Sequence, residues 1–213
     1  MDINYNTKLV DPKEFKSYRD LLNPKWKGKI TAMDPRMRGA DTPLLFMYYM
    51  PTLGPEFMRQ LYGGQKVTIS RDYRQPIDWL ARGKFSICIP CASTEVGDAI
   101  DQGLPLGQIN TLKEGGTLSS GGHTMSFLKK APHPNAAKVF MNWLLSRDAQ
   151  MLMQMGKDVP KRRRPNSLRI DIPKDMIPEE RIRVEGRPYF DGDNAKFVDR
   201  RPADRLLDQI FRK

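Results

Sequence analysis

Short apolar segments alternate with amphipathic segments through the first half of this 213-residue chain. Alternating apolar character predicts strands at Lys29–Met33, Lys66–Ile69, Phe85–Ile89 and Leu106–Ile109. Apolar residues at helical spacing predict helices at Lys13–Leu22, Asp41–Met50, Pro55–Tyr62, Asp72–Ala81 and Thr94–Gln102. Strands that alternate with helices indicate a mainly parallel sheet with helices on both faces, so the predicted fold class is α/β.

The second half of the chain has a different character. Gly115-Gly116 and Gly121-Gly122 flank two short predicted strands, and Pro202–Phe211 is predicted to close the chain as a helix. Between them a helix is predicted over 135–147, with Asn135 as its N-cap. Its apolar stripe consists of Ala136, Val139, Phe140, Trp143 and Leu144. These elements do not continue the regular alternation of the first half.

The chain is strongly basic, with 36 Lys and Arg against 25 Asp and Glu and a formal net charge of +11. Such a charge suits nucleic acid or an anionic membrane surface, and the densest basic run is Lys161–Arg164. The other basic residues are spread along the chain, without zinc-finger spacing, an RNA-binding aromatic motif or a helix-turn-helix pattern. A basic nucleic-acid-binding protein therefore stays an alternative that charge alone supports.

Other features of the composition restrict the class of protein. Apolar residues make up 39% of the chain and charged residues 29%, which is typical of a globular protein. No apolar run approaches the ~20 residues of a membrane-spanning helix. The opening residues lack the basic and apolar regions of a secretory signal. Two cysteines allow at most one disulfide, which excludes a disulfide framework.

Four segments, in order along the chain, resemble one protein family. They are Tyr18–Pro35 (YRDLLNPKWKGKITAMDP), Gly54–Gly83 (with KVTISRDYRQPIDWLARG), Lys113–Lys129 and Lys129–Gln150 (KKAPHPNAAKVFMNWLLSRDAQ). The matching segments belong to bacterial extracellular solute-binding proteins, the capture subunits of ABC importers. Within that family the chain is similar to the family 1 group, the ferric-ion-binding-like type II periplasmic binding proteins.

The resemblance implies a two-lobed protein whose ligand lies between the lobes. Residues 1–112 match lobe two, and residues 113–213 match the returning C-terminal part of lobe one. The N-terminal part of lobe one has no counterpart. We therefore expect a periplasmic-binding-protein type II-like fold made of one complete α/β lobe plus the C-terminal part of the other. We also expect a fragment or an internal-start product, in which the C-terminal part is either loosely held or covered by another chain.

The same resemblance implies a transport function. It implies capture of a small solute without chemistry, a periplasmic location, and docking on an ABC permease in the membrane. The resemblance also implies that the protein has no enzymatic activity and needs no cofactor. Because the loops described next offer positive charge and helix N-termini, we expect the solute to be an anion.

Three predicted strand-to-helix loops carry candidate ligand-binding residues, because ligands of open α/β sheets gather at the carboxyl ends of strands. The candidates are Arg38, Gly39, Ala40, Asp41 and Thr42 in the first loop, Ser70, Arg71, Asp72 and Tyr73 in the second, and Cys91, Ala92 and Ser93 in the third. We expect the three loops to converge at one rim of lobe two. Arg71 is expected to hold a carboxylate, phosphate or similar anion through two hydrogen bonds.

Each loop also has a purely structural interpretation. Asp41 or Thr42 is a suitable N-cap for the helix that follows the first loop. The two arginines of the second loop have acidic neighbours with which they can pair at the surface. Both interpretations stay open at the level of sequence.

Cys88 and Cys91 form a C-x-x-C motif, which in other proteins serves thiol–disulfide exchange. Cys88 falls within a predicted strand, and an extended chain from Cys88 to Cys91 places their Cα atoms about 10 Å apart, too far for a disulfide. We therefore predict that Cys88 is buried, that Cys91 is more accessible, and that no bond joins them. A thiol–disulfide oxidoreductase that uses both thiols is the enzymatic alternative.

The sequence argues against a metal site, and against iron in particular. The resemblance places the two adjacent iron-ligating tyrosines of ferric-ion binders after the third strand, where this chain has Cys91-Ala-Ser. Tyr48-Tyr49 falls inside a predicted helix, where consecutive side chains point in different directions. The two histidines, His123 and His133, lie in different elements and lack partners at metal-ligand spacing.

Overall fold

The structure is a computed structural model that describes residues 1–37, 39–110, 112–118, 125–156, 164, 166–177 and 182–212. The chain divides into two compact units. Unit 1 consists of Met1–Gly121 and Gly186–Lys213, and unit 2 consists of Gly122–Glu185. Within the described part of the chain, no helix combines the length and the apolar character that crossing a bilayer requires.

Unit 1 is built on a five-stranded sheet. Its strands are β1 (Ile3–Asn6), β2 (Ile30–Met33), β3 (Thr68–Ser70), β4 (Ile87–Cys88) and β5 (Leu106–Ile109), in the spatial order β3-β2-β4-β1-β5. Strand β2 pairs in parallel with β3 and β4, and β1 pairs antiparallel with β4 and β5. Four strands therefore share one direction, which confirms a mainly parallel α/β sheet.

The sequence did not predict strand β1, which runs against the other four strands. Its segment contains Asn4 and Asn6, yet both side chains are buried. Asn4 accepts a hydrogen bond from Gln108 at 3.0 Å, and the amide of Asn6 donates to the carbonyl of Leu80 at 2.8 Å. Because distant residues satisfy both amides, a strand with a polar sequence lies inside the sheet.

The helices of unit 1 are α1 (Asp41–Tyr49), α2 (Gly54–Met58), α3 (Gln75–Ala81), α4 (Ser93–Asp101) and α7 (Arg201–Phe211). Helix α2 continues into a π-helical turn over Arg59–Gly64. These helices follow the predicted order with shifted ends. Helix α3 begins three residues later than predicted, since Asp72 Oδ1 accepts hydrogen bonds from the backbone N–H groups of Arg74 and Gln75.

The prediction of one helix over Lys13–Leu22 is wrong. Three short 3₁₀ turns occupy this region, at Pro12–Glu14, Tyr18–Leu22 and Pro24–Trp26. Ser17 lies in an extended conformation and caps the second turn, and Asp20 accepts from the N–H of Ser17 in return. This capping box starts a new helical turn where a continuous helix would need helical backbone.

The core of unit 1 joins both parts of the chain. The ring of Phe46 in α1 packs edge-on against Tyr18 at 5.3 Å and against Phe190 at 5.7 Å. Helix α7 buries Leu206 and Leu207. A second, parallel sheet pairs β6 (Gly116–Leu118) with β7 (Tyr189–Asp191). The C-terminal segment is therefore part of the same compact unit as the five-stranded sheet.

The division into lobe two (1–112) and a returning part of lobe one (113–213) stays a prediction about the longer fold. Two observations bear on how this chain is organised. The two segments do not share one sheet, because β6 and β7 pair only with each other among the described residues. Nevertheless, β7 and α7 pack with the first 121 residues.

Unit 2 contains α5 (Pro134–Leu144) and α6 (Arg147–Met155). The helix predicted over 135–147 is therefore divided, because Ser146 accepts a hydrogen bond from the N–H of Ala149 and caps a new helix. Helix α5 begins before Asn135, and no residue of α5 is buried. Several of its apolar side chains are consequently exposed, among them Val139 at 69%.

Some sequence-based predictions fall outside the described residues. They concern Arg38, Gly121-Gly122, His123 and the basic residues Lys161–Arg163. His133 is described and lies exposed before α5, without a side-chain capping bond. Tyr48 and Tyr49 lie half-buried in α1, and the hydroxyl of Tyr49 donates to the carbonyl of Asp199 at 2.8 Å.

Candidate functional site

The three candidate loops meet at one edge of the sheet. They follow β2, β3 and β4, which are adjacent parallel strands, so their carboxyl ends lie side by side. The N–H of Asp34 donates to the carbonyl of Ser70 at 2.8 Å, and the N–H of Met33 donates to the carbonyl of Pro90 at 2.9 Å. We call this edge, formed by the described residues of 34–42, 70–74 and 89–93, the rim.

A buried carboxylate lies beneath the rim. The side chain of Asp34 is 2% exposed and accepts hydrogen bonds from Arg36 Nε at 2.9 Å, Arg36 Nη2 at 2.8 Å and Arg71 Nε at 3.2 Å. Burial by itself raises the pKa of Asp34, but the hydrogen bonds from Arg36 and Arg71 outweigh it and lower the pKa to about 2. Asp34 is therefore a permanent negative charge between two guanidinium groups.

Arg71 reaches from this carboxylate into solvent. Its side chain is 78% exposed, and its Nε is the atom that contacts Asp34. Among the described residues, no hydrogen bond to Nη1 or Nη2 of Arg71 is present. The outer edge of this guanidinium carries donors in the fork geometry that matches a carboxylate or phosphate.

Among its described residues, the first loop offers backbone groups rather than an unpaired charged side chain. Gly39 is exposed and has a φ of +85°, with no atom within 4 Å of the position that a Cβ would take. Ala40 is buried, and α1 begins after it without a side-chain capping bond. Thr42 is half-buried in the first turn of α1. The Asp41 carboxylate pairs with Arg200 of the C-terminal segment and does not cap α1.

The remaining residues of the second loop mainly hold its shape. The Ser70 hydroxyl is buried, donates to Gln75 at 2.7 Å and accepts from the N–H of Asp72 at 3.1 Å. The Asp72 carboxylate caps α3, and these backbone hydrogen bonds lower its pKa. Tyr73 is 44% exposed at the rim. Of these residues, Arg71 is the one whose guanidinium contacts Asp34 and extends into solvent.

The third loop corrects a prediction. Cys88 and Cys91 form a disulfide, with Cα atoms 5.8 Å apart. The expectation of unbonded thiols is wrong because β4 ends at Cys88 and the chain bends over Ile89 and Pro90. The expected burial of Cys88 is observed at 0% exposure, and Cys91 is 8% exposed.

The disulfide leads directly into α4. Ala92 is half-buried, and Ser93 is exposed as the first residue of α4. This helix, like α1, begins without a side-chain capping bond. Two helix N-termini therefore direct their partial positive charge to the rim, whereas Asp72 occupies the N-terminus of the third helix, α3.

Sequence analysis assigned no role to two charged residues of this site, Asp34 and Arg36. In the sequence they lie just after the strand predicted at Lys29–Met33 and before the candidate residues of the first loop. Burial of Asp34 and its pairing with Arg71, 37 residues further on, depend on the register between β2 and β3. Among the described residues, no group of three or more His, Cys, Asp or Glu side chains is arranged to hold a metal ion.

Solved structures share this fold. An iron- and citrate-bound Trichodesmium protein (IdiA, FutA) has 19% identity and a TM-score of 0.62 over 100% of this chain and 67% of its own. A ferric binding protein from Campylobacter jejuni has 16% identity and a TM-score of 0.59 over 98% and 67%. An ABC-transporter substrate-binding protein from Agrobacterium tumefaciens has 12% identity and a TM-score of 0.60 over 98% and 63%.

The solved structures establish the fold of the chain, and the family model establishes its family. The chain spans about two thirds of the length of these three solved proteins, and it has the type II periplasmic-binding-protein fold. No curated protein matches the chain. The family model described as "Bacterial extracellular solute-binding protein" matches residues 3–151. The chain therefore belongs to the bacterial extracellular solute-binding protein family.

Proposed function

We propose that this protein binds a small anionic solute at the rim, as the solute-binding component of an ABC importer. The outward edge of the Arg71 guanidinium carries this proposal, because it lies at the carboxyl ends of three adjacent strands. Family membership supports a solute-binding role, a periplasmic location and a membrane permease as partner. Binding of this kind requires no catalytic group.

The charges at the rim favour an anion. Arg36, Arg71 and Arg74 carry three positive charges, against the negative charges of Asp34 and Asp72. Asp41 would repel an anion, and its ion pair with Arg200, which also binds Asp204, weakens that repulsion. The N–H groups at the starts of α1 and α4 add partial positive charge. A carboxylate or phosphate is the chemistry that these groups accommodate.

Two of the matched proteins are described as binding iron or ferric ion. The rim supports a different ligand for this chain. Cys91 is held in a disulfide and offers no thiolate, and the carboxylates of Asp34, Asp41 and Asp72 are engaged in hydrogen bonds or ion pairs. Guanidinium and backbone N–H donors attract an anion rather than a bare cation.

The disulfide favours thiol–disulfide exchange as a second candidate function. Cys91 lies two residues before α4, where a helix N-terminus lowers the pKa of a free thiol. The burial of both sulfur-bearing residues, at 0% and 8% exposure, opposes attack by a second protein. A measured reduction potential above about −230 mV would support exchange, whereas a value below about −300 mV is typical of a structural disulfide.

Native mass spectrometry of the purified protein, followed by titration calorimetry with the solute it identifies, tests the proposal. Arg71→Ala should weaken binding by about 1.5–3 kcal/mol, the range for a hydrogen bond to a charged group. The matched control is Arg82→Ala, because Arg82 is an exposed arginine at the opposite end of α3. Equal affinity of the Arg71 variant and the wild type, or an identified solute that is a cation, would refute the proposal.

A further inference from the structure

Asp34 is the most deeply buried charged group of the rim. Its residue is 1% exposed, and a buried carboxylate is stable only when hydrogen bonds and opposite charges compensate for lost hydration. Oδ1 accepts from the N–H and Nε of Arg36 at 3.0 and 2.9 Å. Oδ2 accepts from Arg36 Nη2 at 2.8 Å and from Arg71 Nε at 3.2 Å. Among the described residues, every hydrogen bond to this carboxylate thus comes from an arginine of the rim.

Arg36 is itself held from the other side. Its guanidinium lies over the ring of Phe211 at 4.8 Å, and that ring packs against Tyr62 at 5.8 Å. Tyr62 is buried, and burial raises the pKa of its hydroxyl, with the nearby Asp34 charge adding to the increase. The ring of Phe211 therefore fixes Arg36, which in turn fixes both oxygens of Asp34.

We propose that Asp34 is a positioning residue that binds Nε of Arg71 and so directs the outer edge of this guanidinium toward the bound anion. The inference rests on the proposed function and adds an explanation of how the site selects an anion with two oxygens. With Nε engaged, Nη1 and Nη2 remain to bind two oxygens of one carboxylate or phosphate. Without Asp34, the exposed side chain of Arg71 samples many rotamers, and binding must order it.

A purely electrostatic role for Asp34 predicts the opposite outcome. Asp34 is a negative charge near the anion, so replacing it by a neutral residue removes repulsion and should tighten anion binding. The positioning role predicts weaker binding. Asp34→Asn separates the two explanations, since asparagine keeps the size of the side chain and removes the charge. The sign of the change in affinity therefore decides between them.

The experiment measures the orientation of Arg71 directly and then its effect on an anion. The Nε–Hε resonance of Arg71 is followed by NMR in the wild type and in Asp34→Asn, without ligand, and inorganic phosphate is then titrated as the probe. We expect a protected, shifted resonance that collapses to the solvent-exposed position in Asp34→Asn. The affinity for phosphate should fall about fivefold, the upper end for a solvent-exposed ion pair.

Asp78→Asn is the matched control. Asp78 pairs with Arg74 at 3.5 Å on the exposed face of α3, so the same change of charge occurs next to the rim without contact to Arg71. It should leave the Arg71 resonance unchanged and should not weaken phosphate binding. The double variant Asp34→Asn/Arg71→Ala should bind phosphate no more weakly than Arg71→Ala alone, because Asp34 acts through Arg71.

Each outcome decides a separate point. An unchanged Arg71 resonance in Asp34→Asn, or tighter phosphate binding, overturns the positioning role even if Arg71→Ala abolishes binding. If Arg71→Ala binds phosphate as well as the wild type does, the proposed function is contradicted. The Arg71 resonance measured without ligand still tests whether Asp34 orients Arg71. If Asp34→Asn does not fold, Phe211→Leu replaces it, because loss of the ring beneath Arg36 should loosen the same arrangement and broaden the Arg71 resonance.

Discussion

Replacing Asp34 by asparagine should destabilise unit 1 at neutral pH, and the effect should disappear in acid. The carboxylate is buried, which raises its pKa, but the hydrogen bonds from Arg36 and Arg71 dominate and lower the pKa from its ordinary value of 3.8 to about 2. A lower pKa in the folded state means that the unfolded chain binds this proton more readily. Asp34 therefore stabilises the folded state wherever it is ionised.

The pKa shift sets the size and the pH range of the effect. The gap of 3.8 − 2, about 1.8 units, multiplied by about 1.36 kcal/mol per unit gives about 2 kcal/mol of stability. This contribution is fully present above the unfolded pKa of 3.8 and is lost as the pH falls through the folded pKa of about 2. By about pH 3 roughly half of it should be gone.

Urea unfolding at neutral pH and at about pH 3 measures the effect. A Trp143→Phe background is useful, since Trp26 and Trp79 then report on unit 1 alone. The difference in unfolding free energy between this background and the same background carrying Asp34→Asn should be about 2 kcal/mol at neutral pH and about half as large in acid. Asp78→Asn, which breaks an exposed pair, should change stability by less than about 0.5 kcal/mol. A difference that does not vary with pH would refute the reasoning.

Three further changes test the packing of the fold. Phe46→Ala removes a fully buried ring that contacts two other rings, so urea unfolding should show a loss of about 3–5 kcal/mol, against less than about 0.5 kcal/mol for Val139→Ala on the exposed face of α5. Gly115→Ala adds a Cβ at a φ of +83° against the backbone carbonyl that precedes β7, and should cost more than about 1 kcal/mol by the same measurement. Reduction of the Cys88–Cys91 disulfide should lower the unfolding free energy by about 2 kcal/mol, the value for a very short loop, whereas a Cys88→Ala/Cys91→Ala variant should not respond to reductant.

The elements that sequence analysis predicted well are those whose own residues carry a clear pattern. Strand β2 is buried along its whole length, and its apolar residues are sufficient to predict a strand. Helix α1 begins at Asp41, as predicted, because a strand-to-helix loop directly precedes it. Strand β1 was missed because the hydrogen bonds that allow Asn4 and Asn6 inside the sheet come from residues more than 70 positions away.

The same distinction applies to the disulfide. The expected separation of Cys88 and Cys91 assumed that the strand continues through both residues. Alternation predicted a strand over Phe85–Ile89, whereas the strand covers only Ile87–Cys88, so the bend that follows could not be placed. The register of β2 with β4 stops at Thr31 and Cys88, and beyond it Ile89 and Pro90 each keep one backbone hydrogen bond to β2 while the chain bends toward α4. Local patterns thus predicted that a loop exists, but its shape follows from where the sheet ends.

The electrostatics of the rim were not predictable loop by loop, because the C-terminal helix completes them. Arg200, at the start of α7, binds both Asp204 and Asp41, and the hydrogen bonds that it donates to these two carboxylates raise the pKa of its guanidinium. Phe211, at the end of the same helix, lies against Arg36. One helix thus pairs with an acid at one side of the first loop and packs against a base at the other. The proposed preference of the rim for an anion consequently depends on residues 159 positions apart in the chain, a relation that no motif of a single loop contains.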